Sequence, residues 1–203
     1  MKTCVFLLDN IDSFSYNLVD ELRTLAFDVQ IFRNTVDADY IVAQMEHQSA
    51  VSPVVLVLSP GPGNPASAGC MPALLAKVKG RFPVVGICLG HQAIVEHYGG
   101  VIERAGEVVH GKSSAIEHCG DRMFAHVSQP LPVARYHSLI GNNMPVELEV
   151  TATVNNMAMA VYHAADKMIG FQFHPESILT AQGSQLLLQA VQFLIAPKDT
   201  NQD

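Results

Sequence analysis

Apolar residues in the first hundred positions alternate between two textures. Short unbroken runs, CVFLLD (4–9), VQIF (29–32), VVLVLS (54–59) and FPVVGIC (82–88), have strand length and show little polar face. Such runs suit strands covered on both sides, as in a parallel sheet. Between them, apolar residues recur at helical spacing. Phe14, Leu18, Leu22 and Leu25 share one face of a helix that Ser13 can cap, and Ile41 and Met45 mark a short second helix. MPALLAKVK (71–79) predicts a third, with Pro72 tolerated in its first turn, and HQAIVEHY (91–98) a fourth, closed by Gly99 and Gly100. Strand and helix alternate four times, which argues for a parallel sheet with helices on both faces.

After residue 100 the texture changes. VARYHSL (133–139), EVTATV (149–154) and AMAVYH (158–163) read as short strands, with Asn155-Asn156 as a hairpin turn between the last two. MIGFQF (168–173) is the last strand, and a final helix carries Leu187, Ala190, Val191 and Leu194 on one face. The expectation is a three-layer α/β fold with a mainly parallel central sheet, helices on both faces and a β-rich second half. One domain is expected over residues 1–196, followed by a polar tail at 197–203.

Composition narrows the function classes. A chain of 203 residues buries roughly 70% of its unfolded surface and needs no metal or disulfide staple. Only 12 residues are Lys or Arg, the net charge is −7 and no basic run occurs, which argues against nucleic acid as a ligand. Cys4, Cys70, Cys88 and Cys119 are spaced neither as a disulfide framework nor as a zinc pair, so reduced thiols and a cytoplasmic setting are expected. The apolar start of the chain stops at Asp9, too short for a signal peptide, and no apolar run reaches membrane-spanning length.

Three stretches could carry chemistry. Gly86-Ile87-Cys88-Leu89-Gly90 has the form G-x-nucleophile-x-G at a strand-to-helix bend. There the thiol meets the positive end of a helix, which favours the thiolate, and the N–H of Leu89 can face a carbonyl under attack. The same pentapeptide also suits a cysteine that merely packs in the core. His174 follows the strand MIGFQF and precedes Pro175; Glu176 could orient its imidazole. Taken alone, His174-Pro175-Glu176 reads more readily as an ordinary polar turn before a helix. SPGPGNP (59–65) is stiff and open, able to aim backbone N–H groups at a ligand, Gly61 foremost, or simply to connect two elements. It lacks the Gly-Lys-Ser/Thr of a phosphate loop and the third glycine of a dinucleotide site.

GICLGHQ, FQFHPES and SPGPG, in this order and spacing, together resemble the class I (triad) glutamine amidotransferases, over nearly the whole chain. LLDNIDSFSYNL (7–18), HGK (110–112) and RYHSL (135–139) look like the glutaminase subunits of anthranilate synthase and of aminodeoxychorismate synthase, and PGPGNPASAGCMP is more similar to the first. The resemblance implies a flavodoxin-like sheet and a Cys88-His174-Glu176 triad that attacks the side-chain amide of glutamine. It implies an oxyanion site at the N–H groups of Leu89 and Gly61, and glutamine held by Gln92, Ser138 and Leu139 with Gly61, Pro62 and Gly63. It implies no cofactor or metal in this chain, with magnesium expected only in a partner, a chorismate-using synthase subunit that consumes the ammonia. Three rival readings remain. One is an α/β-hydrolase-type cysteine enzyme, which calls for an acidic residue between nucleophile and histidine. Another is a non-catalytic flavodoxin-like binding module. The third is a metal site built from His91, His174 and Glu176.

Overall fold

The computed structural model describes residues 2–105 and 111–197. Five strands follow the expected apolar runs closely: β1 Cys4–Asp9, β2 Asp28–Arg33, β3 Val54–Leu58, β4 Val84–Ile87 and, late in the chain, β11 Met168–Phe171. They pair in parallel in the order β2-β1-β3-β4-β11. β1, β3, β4 and β11 are buried almost throughout, whereas β2, at the sheet edge, is half exposed. The sheet then continues with antiparallel strands, so β11 is the seam between its two halves. Beside β11 lies β10 Met157–His163, followed by β9 Glu149–Val154, β6 Lys112–His118 and β7 Leu131–Arg135.

Period-two alternation along the strands builds two cores, one on each face. Val5, Leu7, Val55, Val57, Val85 and Ile87 face α1 Ser15–Thr24 and α5 Gly183–Ile195, meeting Leu18, Leu22, Leu187 and Val191. Cys4, Phe6, Leu8, Leu56, Leu58 and Val84 face α2 Ala38–Ser49, α3 Met71–Val78 and α4 Leu89–His97. The three-layer α/β architecture with a β-rich second half is thus present. Among the described residues no helix is long and apolar enough to cross a membrane.

Several local expectations change. Ser13 does not cap α1. The Asp12 carboxylate instead accepts from the Phe14 N–H at 2.7 Å, and Phe14 precedes the helix rather than lying in its apolar stripe. α2 runs to twelve residues, capped by Asp37, whose side chain accepts from the Tyr40 N–H. VARYHSL is not one strand: β7 ends at Arg135, and Leu139 opens β8 Leu139–Asn142, which pairs with β5 Val101–Arg104 in a separate two-stranded ladder. The polar β5 and β6 carry no apolar signal and escape sequence reading. The Asn155-Asn156 hairpin is as expected, both residues taking positive φ (48° and 64°). β11 stops at Phe171, so His174 lies three residues beyond the strand. Residues 198–203 of the expected tail lie outside the described residues.

α4 sits unusually close to β11, with the fully buried His91 imidazole against Gly170; a β-carbon there would lie 2.6 Å from His91 Nδ1. Burial, only partly opposed by the Gly170 backbone, pushes the His91 pKa down to about 3. Its folded value lies below the ordinary ~6.5. Its contribution to stability is therefore fully present above pH ~6.5 and is lost as pH falls toward 3. Urea unfolding at pH 7 and pH 5 should show His91 costing about 2 kcal/mol at the lower pH. His91→Leu should make that drop shallower. An unchanged pH dependence in the variant would contradict the assignment.

Candidate active site

Cys88 occupies a single-residue joint. It closes β4, with its N–H donating to the Phe171 carbonyl of β11 at 2.8 Å, and it opens α4, with its carbonyl accepting from the Gln92 N–H at 3.0 Å. To do both it adopts φ 50° and ψ −98°, a strained conformation for a residue with a side chain. The flanking glycines make the joint possible. A β-carbon at Gly86 would lie 2.4 Å from the Gly90 carbonyl oxygen, and one at Gly90 would lie 2.5 Å from the Leu58 carbonyl oxygen. The nucleophile-elbow geometry expected from the pentapeptide is present. Leu89 is the first residue of α4, so its N–H has no acceptor within the helix.

The second element is His174. Its N–H donates to the Ala134 carbonyl of β7 at 3.1 Å. Thr180 secures the same segment, its hydroxyl donating to the His174 carbonyl at 2.6 Å while accepting from the Ala134 N–H at 3.0 Å. The imidazole Nδ1–H donates to Glu176 Oε1 at 2.7 Å, both side chains being almost wholly buried. A carboxylate can only accept, so this bond fixes the tautomer and leaves Nε2 for the other side of the ring. Phe14 and Tyr136 pack on the ring, with centroids at 5.0 and 5.1 Å. Burial works against a charge on His174. Interaction with the Cys88 sulfur and with Glu176 outweighs it and raises the pKa to about 10.

Beside Cys88 opens a cavity of about 240 Å³, a volume suited to an amino acid rather than a larger ligand. Gly61, Pro62, Gly63, Cys88, Gln92, Ser138 and Leu139 line it, joined by Asp12, Tyr136 and His137. Seven of the ten residues singled out from the sequence therefore meet on one wall. The other three, Leu89, His174 and Glu176, do not line it. The Leu89 side chain packs against Gly61, where a β-carbon would come within 2.6 Å of both it and Asn10. The cavity stands at the carboxyl edge of β1, β3 and β4, beside the point where strand order reverses between β1 and β3. A larger cavity of about 690 Å³ lies at the opposite edge, among Ser52, Pro53, Arg81, Pro83 and Lys167. No cysteine or histidine lines it.

His137 is a member that sequence reasoning leaves unassigned. Its Nδ1–H donates to the Leu139 carbonyl at 3.0 Å and its Nε2 accepts from Arg135 Nε at 3.2 Å. Burial and the Arg135 charge push its pKa down to about 4, so it is neutral at physiological pH. Asp12, Phe14 and Tyr136 also escape sequence reasoning as site residues. The motifs LLDNIDSFSYNL and RYHSL that contain them are the only signal that points to them. Of HGK, His110 lies outside the described residues. The rival metal triad does not assemble, since His91 packs against Gly170 while His174 pairs with Glu176. Among the described residues no group of three His, Cys, Asp or Glu side chains could hold a metal ion.

Comparison with known proteins identifies the family. Residues 6–193 match the family described as glutamine amidotransferase class-I. The chain is 51% identical to anthranilate synthase component 2 of Buchnera aphidicola subsp. Acyrthosiphon pisum, over 97% of each chain. It is 49% identical to the Vibrio parahaemolyticus protein of that name, over 96% of this chain and 97% of the other. The fold is similar to that of a glutamine amidotransferase from Thermotoga maritima, with a TM-score of 0.69 at 14% identity, covering 97% of this chain and 100% of the other. With the family matched across nearly its whole length and half its residues shared with those relatives, the chain belongs to the class I glutamine amidotransferases.

Proposed function

We propose that this chain is the glutaminase subunit of an anthranilate synthase, hydrolysing glutamine at Cys88 and delivering ammonia to a separate chorismate-using subunit. The observation that carries the chemistry is the strained Cys88 joint facing a cavity, with His174 held by Glu176 at 2.7 Å behind it. The choice of pathway rests on the relatives named anthranilate synthase component 2.

Glutamine enters with its side-chain amide toward the sulfur. Cys88 Sγ, its proton taken by His174, attacks the amide carbon, and the carbonyl oxygen gains the electron pair. The N–H groups of Leu89 and Gly61 receive that oxyanion, with the α4 N-terminus adding favourable potential. The proton on His174 passes to the departing nitrogen, the C–N bond breaks and ammonia leaves a glutamyl thioester. Water then attacks the same carbon while His174, held by Glu176, takes its proton. The C–S bond breaks, releasing glutamate and restoring the pair. Gln92, Ser138, Leu139 and the backbone of 61–63 hold the substrate. The cavity is of a size to admit one amino acid, and a separate subunit would consume the ammonia.

Three results should follow. Cys88→Ala should abolish glutamine hydrolysis, and Glu176→Gln should lower kcat by about 10²–10⁴-fold, with folding checked by circular dichroism. Mixed with a chorismate-using synthase subunit, the protein should turn glutamine over faster and yield anthranilate. Aminodeoxychorismate as product would redirect the pathway, and equal turnover with and without the partner would count against a subunit role. Finally, the His174 pKa is raised above ~6.5, so the ring should show no titration by NMR between pH 6 and 8. It should titrate at lower pH in Cys88→Ala and in Glu176→Gln. The stabilisation from the charged ring is fully present below pH ~6.5 and fades as pH rises toward 10.

A further inference from the structure

Behind the cavity wall lies a buried polar side chain that the chemistry above does not use. Gln172 follows β11, is wholly excluded from solvent, and has its main chain tied to β10 by an N–H bond to the Met159 carbonyl at 2.9 Å. A primary amide placed there needs partners for both ends. The carbonyl end accepts from Gln92 Nε2 at 3.3 Å, and the amino end donates to Cys88 Sγ at 3.8 Å.

The direction of this chain follows from chemistry. A guanidinium can only donate, so Arg135 Nε makes His137 Nε2 an acceptor at 3.2 Å and leaves the His137 proton on Nδ1. That proton goes to the Leu139 carbonyl at 3.0 Å. The same carbonyl accepts from Gln92 at 3.1 Å, so the end of Gln92 turned toward it must be the amino group. The Gln92 amino group also faces Gln172, so the end of Gln172 it meets must be the carbonyl. The remaining end of Gln172 is then an N–H donor, and it points at sulfur. Gln92 itself lines the cavity, and its other end is the carbonyl oxygen, an acceptor.

We propose that Gln172 is a fixed donor to the Cys88 sulfur and the residue that locks the amide of Gln92. In the first role it stabilises negative charge on the nucleophile. In the second it presents the Gln92 oxygen to a substrate N–H group. This rests on the reading of Cys88 as the nucleophile. The charged or titratable groups around the sulfur and around Gln172 include His174 with Glu176 behind it, His91 on α4, and Asp12, Tyr136 and His137 lining the cavity, His137 with Arg135 bonded to it. Gln172→Met adds no titratable group to this set.

The test is the pH dependence of Cys88 alkylation by iodoacetamide, read on the Cys88 peptide by mass spectrometry, together with glutaminase kinetics. Gln172→Met keeps the shape without a donor, and Gln172→Glu keeps the shape with an acceptor turned to the sulfur. The alkylation midpoint should rise by about one pH unit in the first variant, tenfold less thiolate at a given pH, and further in the second. KM for glutamine should also rise in both. A residue that only fills space would leave the midpoint where it is in wild type, and that result overturns the inference. In the unaltered protein the Gln172 side-chain amide resonances should move when Cys88 is alkylated, a measurement that needs no variant; unmoved resonances would likewise overturn it. Alkylation of Cys88 with glutaminase activity intact would overturn the proposed function itself. Loss of activity on alkylation with a wild-type midpoint in Gln172→Met would sink only the role of Gln172.

Discussion

The peptide joint at residue 88 has to finish a parallel strand and begin a helix with no loop between them. Only a positive φ achieves this, and it costs on the order of 1–3 kcal/mol in a residue with a side chain. The packing around it holds the strain in place. Gly86 and Gly90 let α4 lie directly on the ends of β4 and β3, and the Cys88 N–H is anchored on β11. A cysteine with no chemical role would gain nothing from this geometry. For an acyl-transfer nucleophile it supplies three things at once: a projecting sulfur, a free helix-terminal N–H at Leu89 and a favourable helix potential.

The fold is most legible where burial is greatest. Strands β1, β3, β4 and β11 are covered on both faces, so their apolar runs announce them, although the run at β11 overshoots its end by two residues. The cover on β5 and β6 is thinner, and strands such as VIER and KSSAIEH are held by backbone pairing that leaves no apolar pattern. VARYHSL misleads because its apolar and aromatic content suits a strand. The chain breaks at Tyr136 because Tyr136, His137 and Ser138 turn to the cavity. Phe14 fits a helical stripe by its spacing. Its ring instead packs on His174, a contact across 160 positions that periodicity cannot express.

At the site itself, residues carrying a recognisable chemical role are visible in the sequence, and residues that position them are not. A nucleophile between glycines, a histidine before a proline and a glycine-rich loop can be seen because their local spacing is itself the requirement. Gln172 lies next to Gln92 and Cys88, both distant in sequence, and only the fold brings Asp12 and His137 to the cavity. The direction of hydrogen bonds from Arg135 to the Cys88 sulfur can be deduced only once the Leu139 carbonyl is seen to accept from two donors.

The seam strand explains why these parts meet. β11 pairs with β4 in parallel, Gly86 opposite Gly170 and Ile87 opposite Phe171, and with β10 antiparallel. The parallel register sets Cys88 level with the end of β11, so the segment from Gln172 to Glu176 leaves the strand beside the sulfur. The antiparallel half brings in β7, which holds His174 through Ala134 and leads into the turn bearing His137 and Ser138. A slip of one residue between β4 and β11 would turn Phe171 out of its core and carry Gln172 and His174 to the wrong height. The wholly buried Phe171 and Phe173, packed ring to ring, hold that register with about 2–3 kcal/mol of burial apiece. The position of the histidine relative to the thiol is therefore set by core packing one layer below, and the polar side chains at the site refine a geometry that the apolar ones have already imposed.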